Sequence, residues 1–273
     1  MPKGTPLYKT LSKSTFINLY KQEGSITGIS RLTGYDCKSL RNLMQKYDIP
    51  FKYKTIYSHN DDSFSIDTEE SFYWAGFIAA DGCIKCRNKN TKILAIGLAN
   101  KDEKHLVKLK NFLLAEEPVK KYINYSSIHI VSNKIAKDLE RFNIVPRKTH
   151  VYKFPEWLID HPMVNHFMRG YFDEDGGISL YTNLKRNRTI PQSIISVRGT
   201  LDFLQTFQSI LITGVGEQNL NKNKIRLSNG IHILMYCGNN NGKKIFNFLY
   251  KDCKISLDRK YNLVKAYLQT NKI

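Results

Sequence analysis

One segment of this sequence occurs twice, and the repeat constrains the fold more than any other feature. The segment WAGFIAADGCI at Trp74–Ile84 aligns without gaps with MRGYFDEDGGI at Met168–Ile178. A repeat of this kind indicates two copies of one structural unit. Four positions are identical in the two copies, and they pair Gly76 with Gly170, Asp81 with Asp175, Gly82 with Gly176 and Ile84 with Ile178.

The similarity continues downstream of both copies. Each Asp-Gly is followed by an alternating segment, a basic polar loop and a second strand-like run: CIKCR, NKNTK and ILAIGLA in the first copy, GISLYTN, LKRNR and SIISV in the second. A helical pattern, two more strands and a final helix complete each copy. The pattern therefore predicts an α+β fold in which one αββαββα unit is written twice. We place the first unit at 67–148, a linker at 149–162 and the second unit at 163–273.

The residues before the first unit have a pattern of their own. Residues 1–50 contain SITGISRLTGYDCKSLRNLMQKYDI, which is typical of a helix-turn-helix, with Ser30 at the helix crossing, Gly34 at the turn and Asp36 as a cap. In DNA-binding proteins the N-terminal part of the second helix enters the major groove. Here that part carries Lys38, Ser39, Arg41 and Asn42. A plain helical hairpin without DNA contact is the alternative. Residues 51–66 are a linker in this interpretation.

The aspartate at the end of each repeated helix suggests chemistry. Glycine after a helix is an ordinary C-terminal signal, but a carboxylate there faces the negative end of the helix dipole. Gly76 and Gly170, inside the two helices, would let them pack side by side, and Asp81 and Asp175 would then meet. Two adjacent carboxylates repel, and a divalent cation such as Mg²⁺ relieves that repulsion. A metal held in this way beside a phosphate backbone suits phosphodiester hydrolysis.

The overall charge favours a polyanionic partner. Lys and Arg number 42 against 24 acidic residues, a formal net charge of +18, and nucleic acid is the leading candidate. No segment approaches the ~20 apolar residues of a membrane span, and the N-terminus lacks the apolar core of a secretory signal. We therefore expect a protein of the bacterial or phage-infected cytoplasm or of an organellar matrix, neither secreted nor bound to a membrane. Five cysteines are consistent with a reducing compartment, and Cys83 and Cys86 lack the second ligand pair of a structural zinc site.

The two segments resemble the paired motifs of the LAGLIDADG homing endonucleases, in the single-chain form that carries both motifs. The motif letters fall on Trp74–Gly82 and Met168–Gly176, and the resemblance covers roughly residues 70–265. In that family the eighth motif residue is the catalytic, metal-binding acid, which implies Asp81 and Asp175. The family's two four-stranded antiparallel sheets form a saddle that grips the DNA major groove. Its acids cut across the minor groove and leave short 3′ overhangs.

The sequence departs from the motif at packing positions and keeps both acids. The sixth position, often acidic in the family, is Ala79 in the first copy and Asp173 in the second. Trp74 replaces the leading Leu of the first motif, and Arg169 replaces the Ala of the second. Because neither Asp173 nor Glu174 has an acidic counterpart in the first copy, we expect neither to be essential to a symmetric mechanism.

The resemblance also implies the other members of the active site. It implies metal contacts beside the two acids at Ala80, Gly82 and Glu174. It places polar and basic residues around the metals, and alignment of the strand ends suggests Asn100, Arg198, Lys134 and Asn240. The implied cofactor is Mg²⁺, with two or three divalent ions bound; Mn²⁺ would substitute, and Ca²⁺ would bind without cleavage. The implied partner is double-stranded DNA with a long, specific target site, bound by a monomer.

The strands after each motif predict a DNA-binding face. Ile84, Cys86, Ile178 and Leu180 would face inward. The outward positions, the partner strand and the basic loops carry side chains that suit base or phosphate contacts: Lys85, Arg87, Lys89, Lys92, Ser179, Tyr181, Asn183, Lys185, Arg186, Arg188, Gln192 and Arg198. Arg259 and Lys260, at the start of the last helix, suit backbone phosphate. A solvated surface is the alternative for any one of these residues.

Two functions other than DNA cleavage stay open at this point. Some members of the family assist RNA splicing as maturases, with host intron RNA as the partner, and others act as DNA-binding regulators. Such proteins often lose an acid, and this sequence has both. Because the sequence starts with Met and ends in TNKI, without a terminal nucleophile or a His-Asn ending, we expect an intron-encoded or free-standing protein and not an intein.

Overall fold

The computed structural model divides the chain into two compact units, 1–56 and 57–273. The boundary lies within the predicted linker. Each unit has its own hydrophobic core. The structure describes residues 10–49, 57–88, 90–185 and 188–270, and only the backbone within 182–191 and at 270.

The N-terminal unit has the helices that the sequence predicts, preceded by one more. They are α1 (Lys13–Glu23), α2 (Ile26–Thr33) and α3 (Cys37–Lys46). The turn between α2 and α3 is built as expected. Gly34 ends α2 with a φ of 73°, a conformation that glycine adopts without strain. The hydroxyl of Ser30 donates to the carbonyl of Tyr35 over 2.6 Å, and Asp36 caps α3.

The C-terminal unit contains the αββαββα pattern twice, as the repeat predicts. The first half contains α4 (Glu69–Asp81), β1 (Cys83–Asn88), β2 (Thr91–Ala99), α5 (Glu103–Phe112), β3 (Lys120–Lys121), β4 (Tyr125–Val131) and α6 (Asn133–Asp138). The second contains α7 (Val164–Asp175), β5 (Gly176–Lys185), β6 (Arg188–Gly199), α8 (Leu201–Val215), β7 (Arg226–Ser228), β8 (Ile231–Cys237) and α9 (Asn239–Leu249), and it is followed by α10 (Asp258–Thr270).

Each half contributes one four-stranded antiparallel sheet. The strand orders are β1-β2-β4-β3 and β5-β6-β8-β7, so the two sheets have the same topology. Their registers are equivalent as well: Cys83 pairs with Ala95 in the first sheet, and Gly177 pairs with Ser196 in the second. Equivalent residues of the two sheets therefore lie on the same sheet face, relative to the motif helix of their own half.

The two motif helices form the centre of the unit because their glycines let the backbones touch. A Cβ atom added to Gly76 would lie 1.9 Å from the carbonyl oxygen of Phe167, and one added to Gly170 would lie 1.9 Å from that of Tyr73. This confirms the predicted close approach. α4 is buried around most of its circumference, as expected for a helix that is apolar on all sides.

Details of the strands differ from the sequence interpretation. Lys92 lies within β2 and not in a loop, because β2 begins at Thr91. Ile84 is buried as predicted, but Cys86 is exposed although it has the same parity, because the strand has passed the edge of the core. Leu180 is likewise 39% exposed. Within the described residues, no helix is both long and apolar enough to cross a membrane.

Candidate active site

The two predicted catalytic acids are the last residues of the motif helices. Asp81 ends α4 and Asp175 ends α7, and the glycine contact holds these helices against each other. The two carboxylates are close enough for the charge of Asp81 to raise the pKa of Asp175. The predicted pairing of the acids is therefore present in the folded chain.

The surrounding protein raises the pKa of both acids. Partial burial is the main cause for Asp175, and repulsion by Asp81 adds to it. Asp81 is exposed on one side, but the protein around it still removes enough water to raise its pKa, against the opposing charge of Lys148. Glu174 lies beside them, and burial together with the charge of Asp81 raises its pKa to about 8. Concentrated negative charge of this kind favours a bound cation.

A buried lysine closes the end of each motif helix. Lys148 is 6% exposed, and its Nζ donates to the carbonyl oxygen of Ala79 over 2.6 Å and to that of Ala80 over 3.4 Å. Lys260 is 4% exposed, and its Nζ donates to the carbonyls of Phe172 over 2.7 Å, Glu174 over 3.3 Å and Gly176. Lysines bound to these terminal carbonyls offset the negative ends of both helix dipoles.

Sequence reasoning missed Lys148 and gave Lys260 another role. Lys148 was placed at the boundary of a linker, and Lys260 was predicted to contact phosphate, which requires a surface position that the buried amine does not have. One signal was present in the sequence, because both lysines follow an arginine, in the pairs Arg147-Lys148 and Arg259-Lys260.

Of the four other predicted active-site residues, the structure brings one to the acids. Arg198 is close enough for its charge to lower the pKa of Asp175. Lys134 instead forms ion pairs with Asp62 at 3.1 Å and Asp138 at 2.8 Å. Asn240 is exposed in the first turn of α9.

Asn100 is the predicted counterpart of Arg198, and the strand register does not support that pairing. Its amide donates to the carbonyls of Tyr122 and Ile123 over 3.0 and 2.9 Å, and so it ties the β3–β4 turn. The register instead makes Gly97 equivalent to Arg198. The two half-sites are therefore unequal at this position, with a cation in the second half and no side chain in the first.

A groove opens beside Asp81 on the outward face of the first sheet. Its volume is about 310 Å³. Its lining includes the polar side chains of Lys85, Ser127 and His129, with Tyr122 and Tyr125 stacked on each other at 4.6 Å. The outward positions of both sheets carry polar and basic residues at exposed or half-buried sites: Lys85, Arg87, Lys120 and His129 in the first sheet, and Ser179, Tyr181, Gln192, Ser196, Arg198 and Arg226 in the second.

Other residues predicted to contact DNA have different surroundings. Lys92 forms an ion pair with Glu140 at 2.7 Å, and Arg259 forms one with Asp102 at 3.1 Å, so neither ammonium nor guanidinium is free for phosphate in this state. Lys89 and Arg186 lie outside the described residues. Asn183, Lys185 and Arg188 lie in strands whose side chains are outside the described part of the structure.

The oxygen donors at the helix ends fit a hard divalent cation. The predicted metal contacts are Asp81 and Asp175 with Ala80, Gly82 and Glu174. The carboxylates of the two aspartates suit Mg²⁺, whereas the carbonyl oxygens of Ala80 and Glu174 already accept hydrogen bonds from Lys148 and Lys260. A cation would also relieve the repulsion that raises the pKa of Asp175. Across the described ranges, no group of three or more His, Cys, Asp or Glu side chains is arranged to hold a metal ion.

Comparisons with known sequences do not establish a family. No family model matches the sequence. A probable translation initiation factor IF-2 from Methanocaldococcus jannaschii is 32% identical over 125 residues, which cover 43% of this chain and 10% of the relative. The chain thus spans about a tenth of that relative's length, and the match does not establish a family.

Solved structures match over most of the chain. The LAGLIDADG meganuclease I-AabMI bound to uncleaved DNA is 12% identical, with a TM-score of 0.52 over 73% of this chain and 89% of that one. Meganuclease I-SmaMI bound to uncleaveable DNA is 13% identical, with a TM-score of 0.53 over 72% and 88%. The I-LtrWI LAGLIDADG homing endonuclease bound to target DNA is 12% identical, with a TM-score of 0.50 over 78% and 92%. This chain therefore has the fold of the LAGLIDADG homing endonucleases, with both motif helices in one polypeptide.

Proposed function

We propose that the C-terminal unit is a site-specific, metal-dependent double-strand DNA endonuclease. The observation that carries the proposal is the pairing of Asp81 and Asp175 at the adjacent ends of two helices, each end closed by a buried lysine. A purely structural helix pair has no need of two partly buried acids with raised pKa values, and perturbed groups of this kind concentrate at functional sites. The DNA-bound proteins with the same fold support the choice of substrate.

In this proposal the acids, lysines and arginine have different tasks. Asp81 and Asp175 would hold Mg²⁺, which supplies charge neutralisation and activates water for phosphodiester hydrolysis. Lys148 and Lys260 fix the carbonyl oxygens beside the acids and supply positive charge where the phosphate gains negative charge. Among the described side chains of the outward sheet faces, Arg198 is the cation whose charge acts on Asp175, and it would contact the phosphate in the second half-site.

The two sheets would supply recognition of the target. Lysine and arginine side chains on the outward positions suit guanine and phosphate, and Gln192 suits adenine. We propose that the strands lie along the major groove and that the acids cut across the minor groove, leaving 3′ overhangs. Because one chain supplies both acids, a monomer is sufficient. The enzyme would act where its DNA lies, in a bacterial or phage-infected cytoplasm or an organellar matrix.

Cleavage of the natural insertion site tests the proposal. A duplex that joins the two DNA flanks of the reading frame should be cut by the purified protein with Mg²⁺ or Mn²⁺, and bound without cleavage with Ca²⁺. Asp81→Asn and Asp175→Asn should each lower the double-strand cleavage rate by at least about 100-fold, while a gel-shift assay still detects binding. Sequencing of the cut ends should show 3′ extensions.

The matched control is an acid of the same unit that lies elsewhere. Asp202 is exposed at the start of α8 and pairs with Lys153 at 3.2 Å, so Asp202→Asn should cut at the rate of the unaltered protein. Full cleavage by either Asp81→Asn or Asp175→Asn would contradict the assignment of the site. Blunt or 5′-extended ends would contradict cleavage across the minor groove.

A further inference from the structure

α3 in the N-terminal unit has one buried face and one polar face. Leu40, Leu43 and Met44 are buried in the core of this unit. The opposite side carries exposed side chains spaced three and four residues apart, which places them on one stripe of the helix. They are Lys38, Arg41, Asn42 and Gln45.

The core and the turn of the unit hold α3 in place. Ile29, Leu40 and Met44 are fully buried against one another. Asp36 accepts hydrogen bonds from the backbone N–H groups of Lys38 and Ser39 over 3.0 and 2.9 Å. Ser39, which was predicted to face DNA, is half-buried beside this cap. The N-terminal end of α3 is therefore held in one position by its cap and by the core, as a helix that recognises DNA bases requires.

The chemistry of the polar stripe matches the major groove of DNA. The sequence of α3, CKSLRNLMQK, contains three basic residues and no acidic one. Residues 1–56 contain ten Lys and Arg against three acidic residues, so the whole unit is attracted to a polyanion. Arginine pairs with guanine, and asparagine and glutamine pair with adenine, in bidentate contacts along base edges. The stripe thus combines charge with all three of these side chains.

We propose that α3 is a recognition helix that binds the major groove beside the DNA segment cut by the C-terminal unit. The inference rests on the proposed nuclease function and extends it. The C-terminal unit has two equivalent halves, whereas the chain carries one N-terminal unit. α3 therefore lengthens the bound site on one side only, and the complete target is longer and less symmetric than the C-terminal unit alone would select.

Double-stranded DNA fits the stripe better than structured RNA does. The major groove of B-form DNA is about 12 Å wide and admits an α-helix, whereas the major groove of an A-form RNA helix is too deep and narrow for side chains to read. Structured RNA therefore serves as a competitor when binding is measured.

The experiment uses the full chain with Asp81→Asn, so that binding is measured without cleavage. Duplexes are selected from a randomised DNA pool by this protein, and a footprint is taken on the selected sequence. The triple variant Lys38→Ala, Arg41→Ala, Asn42→Ala should bind at least tenfold more weakly, since one bidentate base contact contributes about that factor. Its footprint should lose protection at one end only. The variant should fold, because all three side chains are exposed and alanine favours helix.

The matched control changes two cationic residues and one asparagine on another helix. Lys13, Asn18 and Lys21 are exposed on α1, and their joint replacement by alanine removes the same net charge. This control should keep the full footprint and most of the affinity. A second variant, Arg41→Lys, keeps the charge but not the planar fork, and it should bind while losing preference for one base pair.

Several results would overturn the inference. They are equal binding by the α3 and α1 variants, an unshortened footprint in the α3 variant, or tighter binding of structured RNA than of DNA through the α3 stripe. None of these results depends on cleavage. Failure of the nuclease proposal would appear separately, as a lack of cutting by the protein with Asp81 intact.

Discussion

The two motif helices have the same backbone contact and different polar surroundings. In both, a glycine touches the backbone of the partner helix, an aspartate ends the helix, and a buried lysine binds the terminal carbonyls. At the sixth motif position they differ, because α4 has Ala79 and α7 has Asp173, both buried.

Asp173 is the centre of a hydrogen-bond network in the second half. Its carboxylate accepts from the hydroxyl of Tyr250 over 2.6 Å, from that of Tyr73 over 2.8 Å and from the backbone N–H of Leu257 over 2.7 Å. The hydroxyl of Tyr73 is also 2.9 Å from Nε2 of His105. Since Tyr73 has one proton and donates it to Asp173, the ring of His105 is the donor in the second bond. Burial lowers the pKa of His105 to about 3, which keeps that ring neutral.

A second buried cluster binds the segment that precedes α10. Arg169 is fully buried and pairs with Glu69 of α4 at 2.7 Å. The Nε of Arg169 donates to the carbonyl of Ile255 over 3.1 Å, and Glu69 accepts from the backbone N–H of Lys254 over 2.6 Å. Arg169, which departs from the motif, and Asp173, which keeps its sixth-position acid, therefore both hold the segment that leads to α10 and Lys260.

The conserved and the variable positions of the two motif helices have different tasks. Features that both helices share are those that bring the acids and lysines together. Features of one helix serve the second half, where the segment before Lys260 is tied to the helices by polar contacts. The sequence-based expectation that Asp173 is not part of a symmetric mechanism agrees with this position, although the contacts give it a structural task.

The largest expected effect on stability comes from variants of the glycine contact that the two motif helices share. Gly76→Ala and Gly170→Ala should each lower the free energy of unfolding by about 4 kcal/mol or more, because the new methyl group would overlap a backbone carbonyl that no side-chain rotation can move. The two losses should be similar if the contact is symmetric. Urea unfolding followed by circular dichroism measures both.

Gly97→Ala is the matched control for the glycine variants. A Cβ atom at Gly97 would have its nearest neighbour at 3.5 Å, an ordinary contact, so its effect should stay below about 1 kcal/mol. A large difference between the two motif variants would show that the helices do not share one contact geometry.

A smaller effect on stability is expected from variants of the hydrogen-bond network around Asp173, which has no counterpart at Ala79. Asp173→Ala leaves the hydroxyls of Tyr73 and Tyr250 and the N–H of Leu257 without their acceptor, and each unsatisfied buried donor costs about 1 kcal/mol or more. We expect a loss of about 3 kcal/mol in the same unfolding assay. Tyr250→Phe removes one donor and leaves two bonds to the carboxylate, so it should cost about 1 kcal/mol. Equal losses in the two variants would show that Asp173 does not link these groups.

The helices, the strands and the paired acids could be predicted from the sequence, but contacts between distant segments could not. The repeat predicts both αββαββα halves, the glycine contact and the pairing of Asp81 with Asp175, because these follow from local patterns and from symmetry. The position of Lys148 could not be predicted in that way, although the Arg-Lys pair that it shares with Lys260 is visible in the sequence. Lys148 reaches Ala79 only because the chain after α6 folds back on the motif helix. The Asn100 prediction aligned the ends of the second strands. The strand pairing instead makes Gly97, three residues earlier, equivalent to Arg198.

An effect that depends on pH is expected from Glu174, whose counterpart in the first half is Ala80. The pKa of Glu174 is raised from 4.5 to about 8 by burial and by Asp81, so the folded state holds this proton more tightly than the unfolded state. As the pH rises from about 4.5 to 8, the unfolded state ionises first, and the stability that this proton supplies is lost. Without metal, Glu174→Gln should therefore raise the melting temperature by a few degrees more at pH 8 than at pH 5.

Glu103 provides a control, because its pKa is shifted in the opposite direction from that of Glu174. The hydroxyl of Ser126 donates to its carboxylate over 2.6 Å and lowers its pKa below 4.5. Glu103 is therefore ionised in both the folded and the unfolded state between pH 5 and pH 8, and Glu103→Gln should shift the melting temperature equally at the two pH values. A gain for Glu174→Gln that is the same at both pH values would show that Glu174 ionises normally. The charge around the acids would then be no more concentrated in the second half than in the first.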